Sequence, residues 1–176
     1  MDNYFSLFNL PETFRPDTAL VKQTFYRLSK QFHPDRVAQA DPASQAEALT
    51  KAAMLNDAYK TLSNADLTMA YILKVHQLLE EDEKYALPPD FLMEMMDINE
   101  LLSDWEDNPV DDNLKSQVEQ ALGAQMNLWE EEVKPLVLAF EQDPNASELL
   151  VKIKDFYFRK KYLLRIRERL TTFALR

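Results

Sequence analysis

The sequence predicts an all-α protein, and three observations support that class. The 176 residues include one glycine, which disfavours sheets joined by tight turns and suits long helices. Apolar residues recur at helical spacing, and no segment shows the alternation of a half-buried strand. Helix-start signals recur along the chain and divide it into Pro-poor helical runs.

The elements follow in order. Tyr4-Phe5-Ser6-Leu7-Phe8 reads as a short first helix. Asp17 can cap a basic helix that runs to Phe32, and Asp41 followed by Pro42 starts a third helix that runs to Leu62. Ala65 to Gln77 reads as a fourth. Pro88-Pro89-Asp90 breaks the chain before a helix over 90–107, and Asn108-Pro109 precedes another over 110–142. Asp143-Pro144-Asn145 precedes the last, over 145–175, with Asn145 and Glu148 resembling a capping box. Pro135 falls inside the long middle helix, so a kink or break is expected near Lys134.

Short loops between long helices imply antiparallel neighbours. The expected division is therefore a helical hairpin domain over 1–76, an acidic, proline-terminated linker over 77–88, and a three-helix bundle over 89–176. Val21, Phe25, Leu28 and Phe32 form the stripe of the second helix, to pack on Ala48, Ala52, Leu55, Tyr59 and Leu62. In the bundle the stripes are Phe91, Met95, Ile98, Leu101, Leu102 and Trp105; then Val118, Leu122, Met126, Trp129, Val133, Leu136 and Phe140; then Ile153, Phe156, Leu163, Ile166, Leu170 and Phe173.

Composition narrows the function classes. With no cysteine there is no disulfide, thiolate–zinc site or cysteine nucleophile. No Gly-rich phosphate loop, Ser–His–Asp arrangement or metal-ligand spacing is visible, so neither an enzyme nor a cofactor is expected. The Asp107, Asp111, Asp112 cluster reads as solvated helix ends. The start lacks the features of a signal peptide and no run is long enough to span a bilayer, so a cytoplasmic monomer is expected, with no membrane partner. The net charge of −10 opposes nucleic-acid binding. The last helix is basic and residues 80–119 are acidic, so the two are expected to pair internally. His76 reads as structural.

The sharpest motif is His33-Pro34-Asp35, between two amphipathic helices. Pro34 cannot continue a helix and biases His33 away from helical angles, so the chain turns here. The corner presents one imidazole and one carboxylate. The helix before it carries Lys22, Tyr26, Arg27 and Lys30 on one face, with no acid from Lys22 to Phe32, and leads towards Arg36.

This order of helices, the loop, and Asn56-Asp57-Ala58-Tyr59-Lys60-Thr61-Leu62 at the end of the third helix resemble the J-domain. That module stimulates ATP hydrolysis by DnaK-type chaperones. The resemblance implies that Lys22, Tyr26, Arg27, Lys30, His33, Pro34, Asp35 and Arg36 contact the chaperone, with Asp35 pairing a chaperone arginine.

The helix after Pro89 has two faces. At 100° per residue, Leu92, Met93, Met96, Asp97 and Glu100 fall opposite the core stripe, while Glu94 sits at the stripe's edge. Periodicity alone leaves open whether a further helix covers that second face. Phe91-Leu92-Met93-Glu94 and the opening Asp2-Asn3-Tyr4-Phe5-Ser6-Leu7-Phe8-Asn9-Leu10-Pro11 resemble HscB, the J-protein family of iron–sulfur cluster biogenesis. The resemblance implies that Leu92, Met93, Met96, Asp97 and Glu100, with Tyr157 on the last helix, bind an IscU-like scaffold. It implies delivery of that scaffold to an HscA-like DnaK-type chaperone. The alternative is a J-domain co-chaperone for a different client, with a structural C-terminal domain.

Overall fold

A computed structural model describes residues 3–33, 35, 39–144 and 146–174. Among them are seven helices and no strand: α1 (Tyr4–Phe8), α2 (Thr18–Gln31), α3 (Pro42–Leu62), α4 (Ala65–Val75), α5 (Pro89–Asp107), α6 (Asp112–Gln142) and α7 (Ser147–Ala174). The chain is all-α, as its pattern predicts. It divides into two compact units, Met1–Leu79 and Glu80–Arg176, so residues 80–88 fall in the second.

Short polar side chains cap the starts of α2, α3, α4 and α6, whereas α5 starts at Pro88-Pro89 with no side-chain cap. Asp17 accepts hydrogen bonds from the Ala19 and Leu20 amides, and Asp41 from those of Ala43 and Ser44. Asn64 and Asp111 do the same for α4 and α6, so the α6 cap lies beyond the expected Asn108-Pro109 signal. The expected box at Asn145 lies outside the described residues. With glycine scarce, non-glycine residues take the left-handed positions. Asn9 (φ 53°) ends α1 and Gln77 (φ 58°) follows α4. In both places the next residue's amide reaches back into the helix, from Leu10 to the Phe5 carbonyl and from Leu78 to that of Leu73.

In the first unit α2 and α3 form an antiparallel hairpin. Val21, Thr24 and Leu28 are buried on α2, and Ala48, Leu55, Ala58 and Leu62 on α3. Phe25, expected in the seam, is half-buried and stacks on Tyr59 with ring centroids 4.2 Å apart. The seam keeps the expected Val21 and Leu28 and takes Thr24 in place of Phe25. Thr24 and Ala58 are buried small residues of the seam, and the Phe25–Tyr59 pair lies at its half-buried edge. Phe32 is half-buried beneath the Lys51 ammonium, 5.4 Å from its ring centre.

In the second unit α5, α6 and α7 pack against one another as a three-helix bundle. Met95, Leu102, Val118, Phe140, Ile153 and Leu163 are at most 1% exposed and fill its centre. Leu101, Met126, Leu136, Phe156 and Phe173 are half-buried at the margins of their expected stripes. Val137, Leu150 and Phe158 are buried instead. The Trp129 indole N–H donates to the Phe156 carbonyl at 2.7 Å.

Of the kink or break expected near Lys134, the break does not occur: α6 is continuous through Pro135. Pro135 and Glu131, whose carbonyl it cannot bond, are both exposed residues, while Val133, Val137 and Phe140 on either side are buried in the bundle. Core packing on both sides of the proline outweighs its local cost.

The single glycine, Gly123, lies inside α6, and a Cβ placed there meets nothing within 4 Å. Gly123→Ala is expected to stabilise the chain by about 0.5–1 kcal/mol through helix propensity alone. Urea denaturation of the two proteins measures the difference.

Candidate docking surfaces

The first surface starts on α2. Burial of Val21, Thr24 and Leu28 turns the opposite side outward, leaving Lys22, Tyr26, Arg27 and Lys30 exposed. Tyr26 is 57% exposed. Lys22, Tyr26 and Lys30 are successive i, i+4 neighbours and form one ridge. The ridge leads to His33 and Asp35, whose side chains are 56% and 87% exposed. Pro34 and Arg36 lie outside the described residues.

The corner has internal order. The Asp35 amide donates to His33 Nδ1 at 3.3 Å, and Asp35 Oδ2 lies 3.4 Å from the same nitrogen. A neutral ring accepting at Nδ1 carries its proton on Nε2, so it offers an outward donor. Once protonated, the ring can pair with the Asp35 carboxylate instead. Beside the corner is a cleft of about 350 Å³ lined by Ser29, Phe32, His33, Ala52, Leu55 and Asn56.

The second surface is the outer side of α5. Phe91, Met95, Ile98, Leu102 and Trp105 are buried. On the opposite side Leu92, Met93 and Met96 are 38%, 67% and 69% exposed, and Asp97 and Glu100 are exposed with them. A shallow cleft of about 460 Å³ brings Met93, Met96 and Asp97 together with Asp90 and Glu94. The last two were not expected there. Glu94 is exposed rather than set in the core edge, and it accepts from Gln125 Nε2 at 3.1 Å. The signal was present in the sequence: Asp90, Glu94 and Asp97 recur at i, i+4, i+7, an acidic row beside the methionines.

Tyr157 is not among the residues of that cleft. It is half-buried on α7, edge-on to Phe158 at 5.1 Å. His76 is partly buried and contacts Glu12, with Nε2 2.6 Å from Oε1. Among the described residues no three His, Asp or Glu side chains gather as metal ligands. No described helix is long and apolar enough to cross a membrane.

Charge pairing inside the second unit follows the expected acid–base complementarity. Arg169 donates from Nε to Glu106 at 2.9 Å and from Nη2 to Ser103 at 3.2 Å. Lys154 Nζ lies 2.5 Å from Glu83, and the Tyr85 hydroxyl donates to Asp155 at 3.1 Å. The Lys154 hydrogen bond holds the Glu83 carboxyl below the ordinary glutamate range, outweighing the opposing effect of burial.

The two helical units thus carry exposed faces of opposite charge, one basic on α2 and one acidic-bordered on α5. Residues 87–171 match the family profile described as the HSCB C-terminal oligomerisation domain. A Neisseria meningitidis co-chaperone protein HscB homolog is 38% identical over 103 residues, which are 58% of this chain. That match spans 62% of the relative, under two thirds of its length. A Photobacterium profundum HscB homolog is 31% identical over 155 residues, 86% of this chain and 89% of its own. The human iron-sulfur cluster co-chaperone protein HscB is 31% identical over 157 residues, 88% of this chain and 64% of that protein. Its crystal structure superposes with a TM-score of 0.68, covering 94% of this chain and 82% of that one at 28% identity. The chain belongs to the HscB co-chaperone family.

The Glu83–Lys154 pair gives a pH prediction. A carboxyl depressed in the folded state adds stability above its unfolded pKa and loses it as pH falls through the lower folded value. Lys154→Gln is expected to melt lower than the parent at neutral pH. The gap should hold to about pH 5 and close as pH drops through and below about 4.3, where free glutamate protonates. Thermal melts of both proteins across that range measure it.

Proposed function

We propose that the chain is an adaptor co-chaperone without catalytic chemistry of its own. Residues 1–76 act as a J-domain that accelerates ATP hydrolysis by a dedicated HscA-like, DnaK-type chaperone. Residues 89–176 carry an IscU-like iron–sulfur scaffold to it, with 77–88 joining the two. The observation that carries this reading is the exposed pair His33 and Asp35 at the end of an acid-free ridge. The naming of the human relative for iron–sulfur clusters supports the choice of client.

The mechanism follows from the two surfaces. Lys22, Arg27 and Lys30 attract an acidic patch on the chaperone, raise the encounter rate and fix orientation. His33 and Asp35 then enter the chaperone and bias it towards hydrolysis. Leu92, Met93 and Met96 supply an adaptable apolar contact for the scaffold, and Asp97 and Glu100 select for basic groups around it. Tyr157 is assigned to the scaffold on family resemblance. Holding both partners on one chain raises the effective concentration of scaffold at the chaperone. The chain is read as a cytoplasmic monomer.

Steady-state ATP turnover tests the first half. The chain alone should show none, while a DnaK-type partner should accelerate, further so with scaffold present. His33→Gln should remove the acceleration while helical content by circular dichroism stays unchanged. Loss of helix in that variant would make His33 a stability residue and sink the assignment.

The second half is tested by calorimetric titration of the scaffold. Leu92, Met93 and Met96 changed together to alanine should weaken binding by about 100-fold or more, given the apolar area removed. Unchanged affinity would leave α5 without a client role and favour a different docking face.

A further inference from the structure

A third surface is not used by that reading. Residues 83–87 run beside α7 and form with it a groove of about 340 Å³. Its lining includes Lys84, Tyr85, Phe158, Lys161, Tyr162 and Arg165. The floor is aromatic: Tyr85 and Phe158 stack with parallel rings, centroids 4.4 Å apart.

The charge there is opposite to the chain's net −10. Other α7 cations nearby are occupied, Lys154 by Glu83, Arg159 by Asp155 and Arg169 by Glu106. Lys84, Lys161 and Arg165 are exposed and belong to none of these pairs. Lys161 and Arg165 are one turn apart on the same side of α7, so their charges point the same way. Glu83, the acid in the lining, is already held by Lys154 and by the Glu80 amide. Arg165 also lines the neighbouring cleft with Glu106, Glu168 and Arg169, where Glu106 is held by Arg169 and Glu168 bounds the cationic stretch at that end.

We infer that this groove docks a short acidic segment of a partner protein. Its carboxylates sit on Lys84, Lys161 and Arg165, and an apolar or aromatic side chain between them lies on the Tyr85–Phe158 floor. A nucleic-acid strand fits less well. Its affinity comes from many neutralised phosphates, and a chain of net −10 repels the rest of the polymer. Aromatic rings beside three exposed cations instead suit alternating carboxylate and hydrophobic groups, whose encounter the local positive field assists.

The test uses the full chain and a fluorescein-labelled octapeptide of aspartates around two central phenylalanines. Fluorescence anisotropy at low ionic strength should show saturable binding that weakens as salt is raised. The same peptide with lysines for aspartates should not bind. Lys161→Glu with Arg165→Glu should weaken binding by at least about tenfold. Lys84→Glu, in the loop, should weaken it independently should the double variant lose helix. Lys152→Glu, on an exposed part of α7 outside the groove, should leave it unchanged.

Equal binding by the two peptides, no binding of the acidic one, or full affinity in both groove variants overturns the assignment. Displacement by an equal concentration of oligouridylate would overturn it in favour of nucleic acid. Sedimentation showing self-association that the groove variants abolish would replace the acidic partner with a second copy of this chain. Neither the ATPase assay nor scaffold titration enters these outcomes, so they stand apart from the co-chaperone reading.

Discussion

Each helix pair is held by an apolar seam about one stripe wide, and the remaining features depend on that constraint. On α2 the seam is Val21, Thr24 and Leu28; on α5 it is Phe91, Met95, Ile98, Leu102 and Trp105. A helix with one buried stripe has most of its circumference free. What occupies the free side is then weakly constrained by folding, because exposed charges and scattered exposed apolar groups contribute little to stability. The acid-free ridge of α2 and the methionine face of α5 both lie on such free sides. The seam fixes their orientation without dictating their chemistry.

Much of this was legible in the sequence, because helix starts and apolar period are local signals. Asp17, Asp41 and the Pro88-Pro89 break each lie where a helix begins. Failures came where a nonlocal partner decides. Phe25 and Thr24 are adjacent and both plausible in the stripe; the ring of Tyr59 draws Phe25 to the edge and leaves the seam to threonine. Pro135 is a strong local breaker, overruled by burial of Val133, Val137 and Phe140. Of the two candidate surfaces, every described residue on the α2 ridge is exposed as the pattern implies. On α5 the acidic row was read as a flaw at Glu94, because a wheel shows direction but not the cleft that Asp90, Glu94 and Asp97 share with the methionines. Tyr157 rests on resemblance alone, and no periodicity could have ranked it above its neighbours Phe156 and Phe158.

Charge has a different task in each unit. Within the second unit much of it is internal, as Arg169 with Glu106 and Lys154 with Glu83 link helix to helix and loop to helix. These ties hold residues 83–85 against α7, a stretch that composition alone marks as an acidic connector. In the first unit the α2 cations face solvent, and the seam beneath them is apolar or small. A charge network that is satisfied within the molecule has little left to offer a partner, whereas a ridge of exposed cations keeps a field at its surface.

That contrast bears on how a two-surface adaptor stays specific. The α2 ridge is positive and ends in a polar corner, while the α5 face is apolar with an acidic border. In the proposed adaptor, a partner suited to one surface would be repelled or left unsatisfied by the other, so neither would compete for the wrong unit. On that proposal, specificity follows from opposite signs on separate folding units. Each sign is carried on a helix face that the core does not need, so either surface can be retuned by substitution while the seam that positions it stays intact.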